Sequence, residues 1–301
     1  MFRIAMVVLL MGMTGAALGA PPDTGSAPKV AETPDQILNA ALAQSLGAPA
    51  RANIGDQATV RLQDQLTFVP REAAARLLAV SNVSVPPDFQ ALLLGAEGME
   101  APGLVRYVPA GFIDSDAALG WTADDFLSSL QDTVAHANPA RVKQNLEERE
   151  VRRWVRAPRY NPETHQLSWA ALILPTSAPR ESDGEVTFHA ISFGRDGYIE
   201  LTALTSLEKA TEIGQMADDF LAGLTFRPGK AYGDTLPSDK RAKGGLAGAM
   251  GLDSLHKARS DSAFWASDVI IPVAGGIVAA IGAFSLFIYI RRHLRREARR
   301  G

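Results

Sequence analysis

Residues 269–290, VIIPVAGGIVAAIGAFSLFIYI, carry no charged side chain. In a helix rising about 1.5 Å per residue, a run of this length crosses a hydrocarbon core of roughly 30 Å. A span in lipid must satisfy its own backbone, so the stretch is expected to be one transmembrane helix. Asp268 stands before it and RRHLRREARR follows it. Basic residues are retained on the cytoplasmic side. Arg291, Arg292, Arg295 and Arg296 therefore place the tail, 291–301, inside and everything before the span outside. The same arginines form a ridge able to lie against anionic lipid headgroups. Within the span, Gly275, Ala279 and Ala283 recur every four residues, as do Gly276 and Ala280. That spacing lets two helices approach closely and offers a homodimer contact, although easy insertion accounts for the same small residues.

The other end has a matching character. Met1-Phe-Arg leads into the apolar IAMVVLLMGM and then into small residues up to Ala20. Residues 1–19 thus read as a secretory signal peptide, cut after Gly19 or Ala20. An uncleaved second anchor is the lesser reading, because the apolar run is under 18 residues. The whole chain holds 30 basic and 33 acidic residues. Setting aside Arg3, the six tail arginines and Glu297 leaves 23 basic and 32 acidic, so the exported part carries a net charge of −9. Such a surface repels nucleic-acid phosphates, which excludes nucleic acid as a partner. Cysteine is absent, and with it any disulfide, thiolate metal site or cysteine nucleophile.

Periodicity divides the exported part. Residues 20–54 read as a Pro/Ser/Thr-rich leader with a short helix entered at Thr33-Pro34 and stopped at Gly47. Residues 55–228 read as the folded domain. Ala58, Val60 and Leu62, then Leu66, Phe68 and Pro70, alternate as a hairpin of half-buried strands. Arg71 to Val80 reads as a helix. Thr122 and Asp125 open an amphipathic helix, with Phe126, Leu127, Leu130 and Val134 on one side. Asn138-Pro139 is expected to cap a second segment. Leu167 to Leu174 is apolar on both faces, the mark of an interior strand. Glu185 to Phe193 and Tyr198 to Leu204 flank Asp196-Gly197, which suits a two-residue turn. That pairing puts Val186, Phe188 and Ala190 on one face with Ile199, Leu201 and Ala203, and His189 on the other. Thr205 and Glu208 form a capping box before a helix carrying Ala210, Ile213, Ala217 and Phe220. Residues 229–268 read as a flexible juxtamembrane tether. The fold class is α+β: an antiparallel sheet with packed helices, plus the C-terminal transmembrane helix.

Several local motifs recur together: Gly111-Phe-Ile-Asp114-Ser-Asp116, Asn138-Pro-Ala-Arg141, Trp154-Val-Arg-Ala-Pro158-Arg-Tyr160, Leu167-Ser-Trp169-Ala170, Gly194-Arg195-Asp-Gly197 and Phe226-Arg-Pro-Gly229-Lys-Ala-Tyr232-Gly-Asp234. In this order they resemble the DUF2167 family of membrane-anchored bacterial proteins, over roughly Gly55 to Leu252. Two positions depart from the family pattern, Asn161 where it usually has Asp and Thr235 where it usually has Phe. The resemblance implies an anchored, exported domain and supplies no activity.

Chemistry is sparse. The five histidines show no metal-ligand spacing, although His165 and His189 on facing strands are the pair to compare. Asp114-Ser-Asp116 starts like a calcium loop but lacks the following glycine and distal glutamate, so it reads as a turn whose carboxylates bond local amides. Ser206-Leu-Glu-Lys209 matches S-x-x-K without its companion motifs. Trp154, Tyr160 and Trp169 read first as core, and second as a stacking surface for a sugar or peptide. Arg195, at a hairpin tip, is placed to pair with Asp114 or Asp116 or to meet an anionic ligand. Asp114, Asp116, Tyr160 and Arg195 are therefore the candidate ligand or partner residues, with no metal, no cofactor and no catalytic set expected. The role this supports is a non-catalytic binding or scaffolding module of the cell envelope, single-pass in the bacterial inner membrane and contacting an envelope protein. The alternative is an envelope hydrolase or transferase using Asp114 and Asp116 with Arg195.

Overall fold

The computed structural model of the chain describes residues 32–249, apart from 64, 81, 82, 84, 96–101 and 179. The expected signal peptide, transmembrane helix and arginine tail lie outside the described residues. No helix among the described residues is long and apolar enough to cross a membrane.

In chain order the elements are α1 (Pro34–Ala43), β1 (Leu46–Gly47), β2 (Arg51–Ile54), β3 (Ala58–Arg61), β4 (Thr67–Pro70), α2 (Arg71–Val80), β5 (Phe89–Leu94) and β6 (Gly103–Val108). There follow α3 (Ala123–Lys143), β7 (Arg149–Asn161), β8 (Gln166–Pro175), β9 (Glu185–Phe193), β10 (Tyr198–Thr205), α4 (Ala210–Gly223), β11 (Leu224–Phe226) and α5 (Gly245–Ala249). Eight strands form one antiparallel sheet in the order β1-β4-β5-β6-β10-β9-β8-β7. β11, β3 and β2 form a second, smaller one.

The alternation of side chains assigns each face of the large sheet. Ala170, Leu172, Val186, Phe188, Ala190, Ile199, Leu201 and Ala203 point one way, against α4 and the small sheet. Phe220 of α4 lies at the centre of that layer with no exposed surface. On the opposite face α1 and α2 pack over β4, β5 and Leu104 of β6, and α3 packs over β7 and β8. The aromatic side chains near the start of α3 join these layers. Phe126 meets Trp121, Trp154 and Trp169 at ring separations of 5.4, 5.5 and 5.2 Å, and Trp154 Nε1–H donates to Ala123 O.

Several local expectations are altered by non-local contacts. β3 and β4 do not pair with each other: β3 joins the small sheet beside β2, and β4 joins the large sheet beside β5. The alternation Ala52/Ile54 that makes β2 half-buried lies before Gly55, so the folded domain begins earlier than residue 55. The hairpin turn between β9 and β10 has four residues, Gly194–Gly197, because Phe193 rather than Arg195 pairs with Tyr198. The shift is by two residues, which keeps every side chain on its predicted face. α3 runs unbroken through Pro139, and Asn138 caps nothing. Its amide instead brackets β7, with Nδ2 donating to Arg149 O and Oδ1 accepting from Arg149 N, both at 2.9 Å. Thr122 does cap α3, accepting from Asp125 N at 3.1 Å. Before α4, Ser206 makes no side-chain capping bond, and a 3-10 turn at Leu207–Lys209 leads into the helix. The stretch expected to be a tether divides at its middle. Residues 229–247 lie packed on the domain, with Leu246 only 2% exposed, and 250–268 fall outside the described residues.

Candidate functional site

The site grows from the tip of the β9–β10 hairpin. Gly197 has φ +153, and a Cβ there would sit 2.0 Å from Val108 O, so only glycine lets the tip press on the end of β6. Gly111, with φ +92, donates its N–H to Asp196 O and passes so close to Lys240 O that a Cβ would lie 2.6 Å away. The chain after β11 then returns across this tip. Arg195 N–H donates to Lys230 O, Phe112 N–H donates to Lys240 O, and Ala242 N–H donates to Phe112 O. Two ion pairs fasten the strap. Lys230 Nζ reaches Asp196 Oδ2 at 2.8 Å, and Arg195 grips Asp239 with Nε to Oδ2 at 2.7 Å and Nη2 to Oδ1 at 2.8 Å. The Arg195 guanidinium, aided by the Leu236 N–H, holds the Asp239 carboxyl down at about 2.

The strap delivers Tyr232 to a polar cluster. Tyr160, near the end of β7, donates its hydroxyl to Asp116 Oδ1 at 2.6 Å. Ser115 Oγ lies 2.8 Å from the same hydroxyl and His165 Nδ1 lies 3.1 Å from it. Having spent its single proton on Asp116, the phenol accepts from both. Burial, reinforced by the bond to Asp116, raises the Tyr160 pKa and keeps the hydroxyl protonated. Tyr232 Oη accepts from Ser115 N–H at 3.2 Å, and its ring stacks on His165 at 3.6 Å and 17°. His165 adopts φ +50, uncommon for a side chain with a Cβ, and the stack and the bond to Tyr160 hold it there.

The chemical capacity of this cluster is limited by how fully its groups serve one another. Ser115 is 0% exposed. Ser115 and Asp116 both approach the same imidazole nitrogen, Nδ1, at 3.5 and 3.8 Å. A nucleophile–base–orienter line needs them on opposite nitrogens, so a serine-hydrolase arrangement is not formed.

The structure therefore brings together two of the four predicted candidates, Asp116 and Tyr160. Asp114 is exposed at the N-cap of the 3-10 turn Ser115–Gly120 and makes no capping bond. Neither carboxylate bonds a local amide as the turn reading expected, and Asp116 bonds a phenol 44 residues away in sequence. The guanidinium of Arg195 is committed inside the fold, to Asp239 rather than to Asp114 or Asp116. His165 O accepts from Phe193 N–H, so His165 and His189 are four residues apart along β9, roughly 13 Å, and share no site. Among the described residues no group of three metal-binding side chains converges. Ser115, His165, Tyr232 and Asp239 completed the site without having been singled out as its members. Tyr232 lay in a quoted motif, and Asp239 carried no local signal at all.

The family described as "Protein of unknown function (DUF2167)" matches the chain over residues 47–258. No curated protein matches it. Among solved structures, the solution structure of cyanobacterial PsbP (CyanoP) from Synechocystis sp. PCC 6803 superposes with a TM-score of 0.35 at 10% identity, covering 61% of this chain and 92% of that one. A superposition this loose supports no inference.

Proposed function

The chain belongs to the DUF2167 family, and from that premise we propose that its domain is a non-catalytic binding or scaffolding module of the bacterial cell envelope. In this reading the apolar run at 269–290 holds it to the inner membrane, with the domain outside and the arginine tail inside. The observation that carries the non-catalytic part is the hydroxyl of Tyr160. It gathers Ser115, Asp116 and His165 around itself and leaves no exposed nucleophile beside a free base. The residues are spent on shaping one end of the domain. That end presents Asp114 and Asp116, and Lys240 and Arg241 of the strap, as an exposed charged rim for a protein partner. The hydrolase or transferase alternative needs the guanidinium of Arg195 beside Asp114 and Asp116, and its bidentate hold on Asp239 speaks against that.

Photo-crosslinking residues placed singly at positions 114 and 240, with position 215 on α4 as a control, test the reading in cells. A discrete adduct from 114 and 240 but not from 215 is expected. Turnover of an ester, phosphoester or glycan by the purified protein, lost in Asp116→Asn, would overturn it.

A further inference from the structure

The outer face of the small sheet carries charge that the fold does not use. β2 and β3 pair with Arg51 directly opposite Arg61 and Asn53 opposite Thr59, and β11 brings Thr225 opposite Thr59. Directly opposite residues share a face, so these side chains stand together while Ala52, Ile54, Ala58 and Val60 turn inward to the core. Arg227, just past β11, extends the row and donates Nη2–H to Asn53 Oδ1 at 2.9 Å. Thr59 is half-buried, and the other five are exposed.

The cross-strand arginine pair is the anomaly. Two guanidinium groups whose Cβ atoms stand about 5 Å apart repel each other, and like charges so placed destabilise a sheet. Elsewhere the fold supplies counter-charges: Arg149, Arg153 and Arg156 of β7 meet Glu185, Glu181 and Asp218. Among the described residues neither Arg51 nor Arg61 forms an ion pair or a side-chain hydrogen bond. Asp56 stands at the turn between β2 and β3, at the Arg227 end of the face, and its Oδ1 accepts from Gln57 Nε2 at 2.7 Å. Asp64, three positions after Arg61, falls outside the described residues.

An occupant of this face must bring negative charge to a flat surface. The six side chains include no aromatic or aliphatic one to form the dry centre of a protein contact. A layer of lipid phosphates needs no such centre, and each phosphate matches the fork of a guanidinium. Arg51 and Arg61 together favour a docked state about 30-fold. That is too little to recruit a free protein. It is enough to orient one already held at the surface by a tether of 19 residues, about 60 Å if fully extended. The exported part as a whole carries a net charge of −9, so on balance its other faces are repelled by an anionic bilayer. The anchor brings the domain to the membrane, and charge decides which way it turns. We propose that the outer face of the small sheet docks on the anionic headgroups of the membrane that holds the protein, with Arg51 and Arg61 as its phosphate contacts. The proposal rests on the reading that 269–290 spans that membrane.

The chain has no cysteine, so a single fluorophore can be placed on Thr225→Cys, within the face, or on Gln215→Cys, on α4. Full-length protein is reconstituted in vesicles of phosphatidylcholine, alone or mixed equally with phosphatidylglycerol, that carry a headgroup-linked energy acceptor. With phosphatidylglycerol the 225 label should transfer strongly and the 215 label weakly. The difference should vanish without the anionic lipid or in about 1 M salt. Replacing both arginines, Arg51→Gln with Arg61→Gln, should cut the docked-to-free ratio about 30-fold. Because a repulsive pair is removed, that variant should melt at or above the wild-type temperature. Transfer from 225 that ignores the anionic lipid or the double substitution overturns the proposal. So does a lower melting temperature, which would give the arginines a role inside the fold. Docking that appears only in Asp64→Asn would show that an internal acid already fills the pair. Binding of polyglutamate, lost in the double variant and without any approach to lipid, would assign the face to an acidic protein instead. Failure of the anchor is distinct from all of these. A protein stripped from the vesicles by alkaline carbonate has no span, and docking falls with it. One that stays in place with its 225 label far from the acceptor refutes docking alone.

Discussion

Tyr160 shows how much a single hydroxyl can organise. Its oxygen is shared by a serine from one loop, an aspartate beside it and a histidine from the next turn. Tyr160→Phe keeps the ring and removes only that atom, leaving the fully buried Ser115 hydroxyl nothing but the long 3.5 Å contact with His165 Nδ1. Loss of about 1–3 kcal/mol is expected in a urea titration. Ser115→Ala should cost less, because Tyr160 then keeps both Asp116 and His165, and the reverse order would sink the account. Asp239 makes the companion case for charge. Its folded pKa of about 2 lies below the ordinary 3.8, so its contribution is present above the ordinary value and is lost as pH falls through the folded one. Melting temperatures of wild type and Asp239→Asn should therefore differ at neutral pH and converge between about pH 4 and pH 2. A gap that persists to pH 2 would place the stabilisation elsewhere.

At the scale of elements, what the sequence revealed depended on whether the determining contact was local. The start of α3 was legible because Thr122 and Asp125 are three residues apart and the bond between them is the cap itself. The facing of β9 and β10 was legible because alternation survives an even shift, although the turn length was not. The divergence of β3 and β4 into separate sheets was hidden, since each looks the same whichever partner it takes. Asn138-Pro139 misled for a different reason. Asparagine before proline reads as a helix start, but Asn138 is held by Arg149 across the fold and the helix continues past the missing N–H. Pro139→Ala should then restore an interior helical bond and raise stability, by up to about 3 kcal/mol. Asn138→Ala should lower it by about 1–3 kcal/mol by stranding the Arg149 amide and carbonyl. Chemical denaturation of both variants decides it, because a proline opening a new helix predicts no gain from its removal.

For the whole molecule the strap is the consequential part. Its motif residues, read from the sequence as the edge of the domain, run on into a segment that closes over Asp116, Tyr160 and His165 and only then leaves the described region. Between Ala249 and Val269 stand 19 residues, about 60 Å if fully extended. On the proposed topology the candidate site therefore faces the envelope within reach of the outer surface of the bilayer, and the tail arginines keep the chain from being drawn through. Protease added to spheroplasts should digest residues 21–268 and spare an epitope placed after Gly301. If the epitope is removed and the domain survives, the domain is cytoplasmic. Replacing Arg291, Arg292, Arg295 and Arg296 by glutamine and adding lysines before Asp268 should weaken or invert the orientation, because the bias is carried by basic residues within about 15–20 positions of the span. An orientation unmoved by that exchange would mean that the exported domain is committed by its leader alone. The arginines would then serve the lipid headgroups rather than the topology.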